Sequence, residues 1–269
     1  MKKNELKKLL NYHDNLYYNQ DDPEITDTEY DALKNLYVSL YGEYDYVPGK
    51  ALFNKVKHTT NISSLDKVQI TDMDKLRAEI IRLWPVVIQP KMDGLTIVSY
   101  PNNTDVTRGN GEIGEDVSEA IRAGVKGKGI VRDKPIRSEA VMLLSEFRRI
   151  NEERIKNNLK PFKNARNAAA GMLRNKSTEK VEGLMLFAYN VISEYSESNL
   201  NQSQLDELQL LGWNTVFSYV PTTVDEAINY IVNFDRSTLD YEIDGLVVKH
   251  NGNKQFGFTG HHPKSAIAV

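Results

Sequence analysis

The chain of 269 residues contains no cysteine, which excludes disulfides and cysteine-based zinc sites and fits a cytosolic protein. It has no apolar run long enough to span a bilayer. Its start, MKKNELKKLLNYHDN, carries basic residues but no apolar core followed by small residues, so no export signal is expected. Internal repeats and low-complexity segments are lacking too. So is a strong charge of either sign: the net charge of -3 does not advertise nucleic-acid binding, although it leaves room for a local basic groove. What remains is an ordinary globular composition, 40% apolar and 26% charged, sufficient for one large domain or a large one plus a small one.

Apolar periodicity predicts a helix from residue 3 to about 20, with Leu6, Leu9, Leu10 and Leu16 at helical spacing. After the break at DDPEIT, Thr26-x-x-Glu29 is a capping box for a second helix. That helix carries Tyr30, Leu33, Leu36, Tyr37, Leu40 and Tyr41 on one face, with Gly42 as its stop. A helical hairpin of this size holds little core by itself. The stretch YDYVPGKALFNKVKHTTN has neither period and reads as a linker. Beyond it, helical and strand patterns mix. Helices are expected at DMDKLRAEIIRLW, LLSEFRRINEERIKNN, SQLDELQLLGW and TVDEAINYIVNF. Strands are expected at Val86–Ile88, Leu95–Tyr100, GLMLFAYNVI and EIDGLVVKH. The class is α+β, with strands returning to one another across helical insertions.

Within RLWPVVIQPKMDGLTIVSYPNN, Lys91 sits beside an Asp93-Gly94 turn signal between two strand-like runs. Alone, Lys-x-Asp-Gly reads as a hairpin with a solvated lysine. Four further clusters change that weighting. In VTRGNGEIGEDV, Arg108 stands among glycines that permit close backbone approach to a ligand, and an arginine grips phosphate or a sugar hydroxyl. In FKNARNAAAGMLR, Arg166 and Arg174 flank a small-residue helix, eight residues apart and near one face, a spacing that suits an anion. In LDYEIDGLVVKHN, Lys249 shares a strand face with Val247, opposite Leu246 and Val248, and a second Asp-Gly precedes it. In YYNQDDPEITDTEYD, Tyr17, Tyr18, Asp27, Tyr30 and Asp31 combine stacking faces with carboxylates, which suits a cationic aromatic ligand.

Taken in order, these segments resemble the N-terminal part of the NAD-dependent, bacterial-type DNA ligases, over nearly the whole chain. YYNQDDPEITDTEYDAL is similar to the helical domain that binds nicotinamide mononucleotide (NMN), and KMDG to the nucleotidyltransferase lysine motif. ISSLDKV, TRGNGEIGEDV, IRSEAVM, FKNARNAAAGMLR, LFAYNV, YEIDGLVVK and FGFTGHHP follow in the family's order. The resemblance implies a helical domain over 1–55 and a nucleotidyltransferase domain, ATP-grasp-like, of antiparallel sheets with helices over 56–269. It implies that Lys91 attacks the α-phosphorus of NAD, releases NMN and carries AMP, which then passes to the 5′-phosphate of nicked DNA. Such a lysine must be neutral to attack, which asks for nearby cations and partial burial. By resemblance Arg108, Arg174 and Lys249 join Lys91 in catalysis, and Arg166 and Arg236 hold phosphate. Glu139 lies near the ribose, Tyr189 stacks on adenine, and Ser64, Leu65 and Gln89 contact the adenosine. Tyr17, Tyr18, Asp27, Tyr30 and Asp31 hold the departing mononucleotide. Magnesium is implied as a cofactor, nicked double-stranded DNA as a partner, roles in replication and repair, and a cytoplasmic location, in the host if the source is viral.

Several positions depart from the family pattern. Gln89 stands where a glutamate is usual, Asn110 for an aspartate, Ser138 for a glycine and Ala165 for a proline. These mark a divergent member, for which a viral source is one expectation. A further lysine, in a Lys-Phe pair, would fall just beyond Val269, and the oligonucleotide-binding barrel, zinc module and helix-hairpin-helix region are not in this chain. A piece of a longer enzyme, or a split enzyme whose second polypeptide supplies them, is expected, with self-adenylation as this chain's own activity. Two alternatives are an ATP- or GTP-using nucleotidyltransferase and a degenerate NAD-binding subunit. The Tyr/Asp cluster argues against the first, because a nucleoside triphosphate has no use for a mononucleotide site.

Overall fold

A computed structural model describes the chain except residues 1–2, 20–23, 45–54, 61, 63, 175–180, 193–201, 253–255, 257 and 260–261. The chain forms two compact units, Met1–Leu52 and Phe53–Val269.

The first unit contains helices α1 (Lys3–Asn19) and α2 (Asp27–Tyr41). The capping box is formed: the Thr26 side chain accepts from the Glu29 backbone N–H, and the Glu29 carboxylate accepts from Thr26 N at 2.8 Å. Gly42, at φ 86°, caps the other end. Leu6, Leu10 and Tyr37 form the small core, with Tyr30, Leu33, Tyr41 and Tyr44 packed around it. Leu36 and Leu40 do not share that face. They are 47% and 56% exposed, because the core needs only the narrower stripe on which Leu33 and Tyr37 lie.

The second unit opens with β1 (Lys55–Lys57) and β2 (Asp66–Lys67), then α3 (Met73–Leu83), β3 (Val86–Met92), β4 (Leu95–Ser99), β5 (Asp105–Thr107), β6 (Ile113–Glu115) and α4 (Ser118–Gly124). There follow β7 (Ile136–Met142), α5 (Leu144–Lys156), α6 (Ala165–Leu173), β8 (Leu184–Val191), α7 (Gln202–Leu210), α8 (Val224–Val232), β9 (Ile243–His250), β10 (Phe258–Thr259), β11 (His262–Pro263) and β12 (Ala266–Ala268). Part of the expected linker is therefore a strand: β1 pairs antiparallel with β6, Lys55 opposite Glu115. Three residues in a charged setting are too few to show a period, so the pairing partner decides.

Two four-stranded sheets dominate, ordered β2-β12-β9-β3 and β5-β4-β7-β8. All their pairs are antiparallel except the short parallel contact of β12 with β2. The expected hairpin around Lys91 does not exist. β3 pairs with β9, and β4 with β5 and β7, so Asp93-Gly94 is the crossing from one sheet to the other. The crossing is tight: a Cβ on Gly94 would lie 2.3 Å from the Ala140 carbonyl oxygen. An Asp-Gly pair permits a sharp reversal but does not require its flanking strands to pair.

Each sheet buries one face under helices. Leu76, Ile80 and Leu83 of α3, and Ala227, Ile228 and Ile231 of α8, cover Val86, Ile88, Leu246 and Val248. On β8 burial alternates strictly, with Leu184, Leu186 and Ala188 facing inward into the core that also holds Ala168, Ala169 and Leu173 of α6. Burying one such leucine contributes roughly 1.5–3 kcal/mol. The opposite faces of the two sheets carry the side chains expected to do chemistry.

Candidate active site

Lys91 lies near the end of β3, opposite Gly245 of β9. The register then slips: Met92 faces Ile243, leaving Asp244 as the extra residue of a β-bulge. The bulge turns Asp244 onto Lys91, and its carboxylate accepts from Nζ at 2.6 Å. The two Asp-Gly segments of the sequence thus meet at one point. Asp93 follows at the crossing. Its backbone N–H donates to the Glu242 carbonyl at 2.9 Å and its carboxylate meets Arg166 Nη1 at 3.2 Å. Burial pushes the Asp93 carboxyl above its usual range, against the opposing pull of Arg166.

The second sheet supplies the other wall. Thr96 of β4 faces Glu139 of β7 and donates its hydroxyl to the carboxylate at 3.0 Å. Burial pushes the Glu139 carboxyl up to about 7, although the Thr96 bond and the cations Arg137, Arg166 and Lys91 pull it back. Tyr189 stands at a second bulge. Arg137 faces Asn190 and Ser138 faces Ala188, so Tyr189 is the residue left over on β8. Its hydroxyl lies 3.4 Å from Glu139 Oε2, and burial pushes it up to about 12. Lys249 Nζ is 5.1 Å from the Tyr189 ring centroid and donates to the Tyr189 carbonyl at 3.3 Å, while the Arg137 guanidinium lies 5.6 Å from the same ring. As expected, Lys249 is on the face of β9 away from the buried Leu246 and Val248.

Gln89 is buried, and its amide donates to the Ser218 hydroxyl at 2.9 Å. Ser64 and Leu65 are half-buried in the segment leading into β2. Arg166 lies in the first turn of α6, whereas Arg174 is its C-cap, with Nε 3.4 Å from Glu115 Oε2. The helix ends at Leu173, and each arginine meets a different carboxylate. Arg236 begins a short 3-10 turn and donates to the Ile243 carbonyl at 3.4 Å, just ahead of the Asp244 bulge.

Arg108 is held by its backbone N–H on the Thr96 carbonyl at 2.9 Å and by Nε on the Ile62 carbonyl at 3.1 Å. The glycines beside it close the loop on itself: a Cβ on Gly109, at φ +55°, would fall 1.9 Å from the Ile113 carbonyl oxygen. In the first unit, the Tyr30 hydroxyl donates to the fully buried Asp14 at 2.6 Å and Asp31 is exposed, while the side chains of Tyr17, Tyr18 and Asp27 lie outside the described residues. Sequence reasoning gave no role to Asp93, Thr96, Arg137, Ser218 or Asp244, although the paired Asp-Gly motifs were a signal for two of them.

The departures from the family pattern have simple local accounts. The Asn110 Oδ1 accepts from the N–H groups of Glu112 and Ile113 at 3.0 and 2.9 Å, which a carboxylate oxygen would do equally. Ala165 is the first residue of α6, the position where proline is also at home. The buried Ser138 hydroxyl lies 3.4 Å from the Ile97 carbonyl.

Comparison with known proteins adds an independent line. Residues 50–269 match the model of the NAD-dependent DNA ligase adenylation domain, and residues 1–44 that of the DNA ligase-like N-terminal NAD+-binding domain. The chain is 36% identical over 300 residues to a DNA ligase of Clostridioides difficile and 33% identical over 306 residues to one of Aquifex aeolicus. These alignments cover 98% of this chain but 44% and 42% of those proteins, so the chain spans less than half the length of these relatives. A solved Lig E DNA ligase structure matches 79% of this chain and 69% of its own at 13% identity and TM-score 0.43, too distant to bear on the site. The chain belongs to the NAD-dependent DNA ligase adenylation domain family. Its N-terminal unit is of the NAD+-binding kind, which disfavours the ATP- or GTP-using alternative.

Proposed function

We propose that this chain is the adenylation module of an NAD-dependent DNA ligase and that Lys91 is its nucleophile. The observation that carries this is the Lys91–Asp244 pair at 2.6 Å, set at the junction of two sheets that hold Lys249, Glu139 and Tyr189, with Arg166 at the start of α6 beside it. Attack requires the Lys91 ammonium to lose a proton, and the Asp244 carboxylate is the acceptor in hydrogen-bond reach. The Nζ–phosphorus bond then forms as the bond to the bridging oxygen breaks, and NMN leaves with that oxygen. Arg108, Arg166, Arg174, Arg236 and Lys249 are the cations available to the phosphates, where positive charge stabilises the crowded phosphorus. Glu139 suits the ribose, the Tyr189 ring the adenine face, and Gln89 the adenine edge, with Ser64 and Leu65 beside the nucleoside. Tyr30 and Asp31, with Tyr17, Tyr18 and Asp27, suit the NMN half. Transfer of AMP to the 5′-phosphate of nicked DNA needs the domains that the longer relatives have room for.

No group of three or more histidine, aspartate or glutamate side chains suited to a metal exists among the described residues. Magnesium commonly retains its waters and rides on substrate phosphates.

The test is intact mass after incubation with NAD and magnesium, with ATP in a parallel tube. The expected result is a gain of one AMP from NAD alone, lost in Lys91→Ala. A labelled adduct that persists in Lys91→Ala refutes the nucleophile. No gain from either cofactor favours a binding-only fragment.

A further inference from the structure

His58 falls in the stretch whose composition suggests only a linker, yet its ring is buried 6% exposed beneath the Arg108 loop. Its Nε2 lies 3.1 Å from the Thr107 carbonyl and 3.2 Å from that of Arg108. Carbonyl oxygens only accept, so Nε2 carries a hydrogen, and in the neutral ring it is the one nitrogen that does. Nδ1 then accepts from the Tyr100 hydroxyl at 2.8 Å, and that hydroxyl in turn accepts from Thr59. The backbone completes the clamp. His58 N–H donates to the Glu112 carbonyl, and Ile62 N–H to that of Gly111, both at 2.8 Å, while Ile62 receives the Arg108 guanidinium. His58 and Ile62 therefore grip both ends of the loop and the arginine itself.

We propose that His58 is a positioning residue for Arg108: its neutral, Nε2-protonated imidazole pins the two carbonyls that fix where the Arg108 guanidinium points. The inference rests on Arg108 being one of the residues that meet NAD. Protonation at Nδ1 would remove the acceptor on which the Tyr100 hydroxyl rests and force that hydroxyl to turn away. Among the described residues, the titratable or charged side chains that act on the ring are Tyr100, just past β4, and Arg137 of β7, neither of them a carboxylate that would welcome the imidazolium. Burial accordingly pushes the His58 imidazole below its ordinary value.

The experiment measures single-turnover lysyl-AMP formation from NAD in the native chain, His58→Phe, His58→Gln, Arg108→Ala and the double variant His58→Phe/Arg108→Ala, with thermal melts of each. A glutamine amide nitrogen can take the place of Nε2–H. His58→Phe should slow charging at saturating NAD by about tenfold, as misplaced catalytic groups do. His58→Gln should recover most of that rate. The double variant should be no slower than Arg108→Ala, and the acid-side fall of the native rate should be shallower in His58→Gln, with only the part set by the Lys91-to-Asp244 proton transfer remaining. Native charging by His58→Phe, or losses that multiply in the double variant, overturn the inference while leaving Arg108 in place. Native charging by Arg108→Ala removes the arginine's own role and this inference with it. If His58→Phe does not fold, the acid limb decides: a limb in His58→Gln that superimposes on the native one overturns the proposal.

Discussion

Lys91 and Asp244 are 153 positions apart in sequence and meet at 2.6 Å, because a bulge in β9 leaves Asp244 without a cross-strand partner, next to the Gly245 that faces Lys91. Tyr189 is set by a bulge of the same kind on the other sheet. An extra residue re-aims a side chain without disturbing the core face of the strand. If Asp244 accepts the Lys91 proton, Asp244→Asn should slow charging about 100-fold near pH 7, the scale of a lost general base. Part of the rate should return as rising pH lets hydroxide take the proton. Native speed in Asp244→Asn at pH 7 would leave the carboxylate as an ion-pair partner only.

Glu139 gives the fold a pH dependence. Its carboxyl is raised from 4.5 to about 7, so the folded chain holds a proton there that the unfolded chain has lost. The stability from this group is complete below about pH 4.5 and is lost as pH rises through about 7. Melting temperatures from pH 4 to 8 should thus fall further for the native chain than for Glu139→Gln, in the absence of NAD. Parallel curves would show that the Glu139 carboxyl keeps its ordinary value in the folded chain.

Gly94 should tolerate no side chain. An added Cβ would meet the Ala140 carbonyl oxygen at 2.3 Å and Val141 Cγ1 at 2.9 Å. Gly94→Ala must part the two sheets where Lys91 and Glu139 face each other. A destabilisation of about 1–3 kcal/mol, typical of overpacking, is expected in denaturant titration, with slower charging. A variant as stable and as active as the native chain would mean that the crossing is looser than this.

Gln89→Glu is expected to keep charging within about threefold of native. The Ser218 hydroxyl, which accepts from the Gln89 amide at 2.9 Å, can turn and donate to a carboxylate instead. Complete loss of charging in this variant would indicate an adenine pocket rebuilt around the amide.

For the NMN half, Asp31 is the cleaner probe, because it is exposed whereas Tyr30 bonds the buried Asp14. Asp31→Asn should impair charging by NAD yet leave transfer of AMP from a pre-charged chain intact. Tyr30→Phe should in addition destabilise the helical unit by about 1–3 kcal/mol, since it strips a partner from a buried carboxylate that retains Tyr44 at 2.5 Å. Equal loss of both half-reactions in Asp31→Asn would point to a folding defect.

Much of this was legible because it is local. The capping box at Thr26, the 3.6-residue stripe Leu76, Ile80, Leu83 in α3, and the alternation of β9 around Lys249 each depend on neighbours within a turn or two. The hairpin around Lys91 was misread for the complementary reason. Asp93-Gly94 reverses the chain in either case, and nothing near it says whether Leu95 returns to β3 or crosses to β7. β1 and β12, at three residues each, are too short to carry a period and exist by virtue of their partners.

By itself, then, the sequence determined the elements long enough to show a period, the ordered series of motifs, and hence the ligase kinship. Only the tertiary structure decided which strands pair, and with that the two bulges that aim Asp244 and Tyr189, the separate carboxylates met by Arg166 and Arg174, and the burial of His58 under the Arg108 loop. The physical reason is that side-chain period reports a residue's own face, whereas register, bulges and buried hydrogen bonds are settled between segments far apart in the chain.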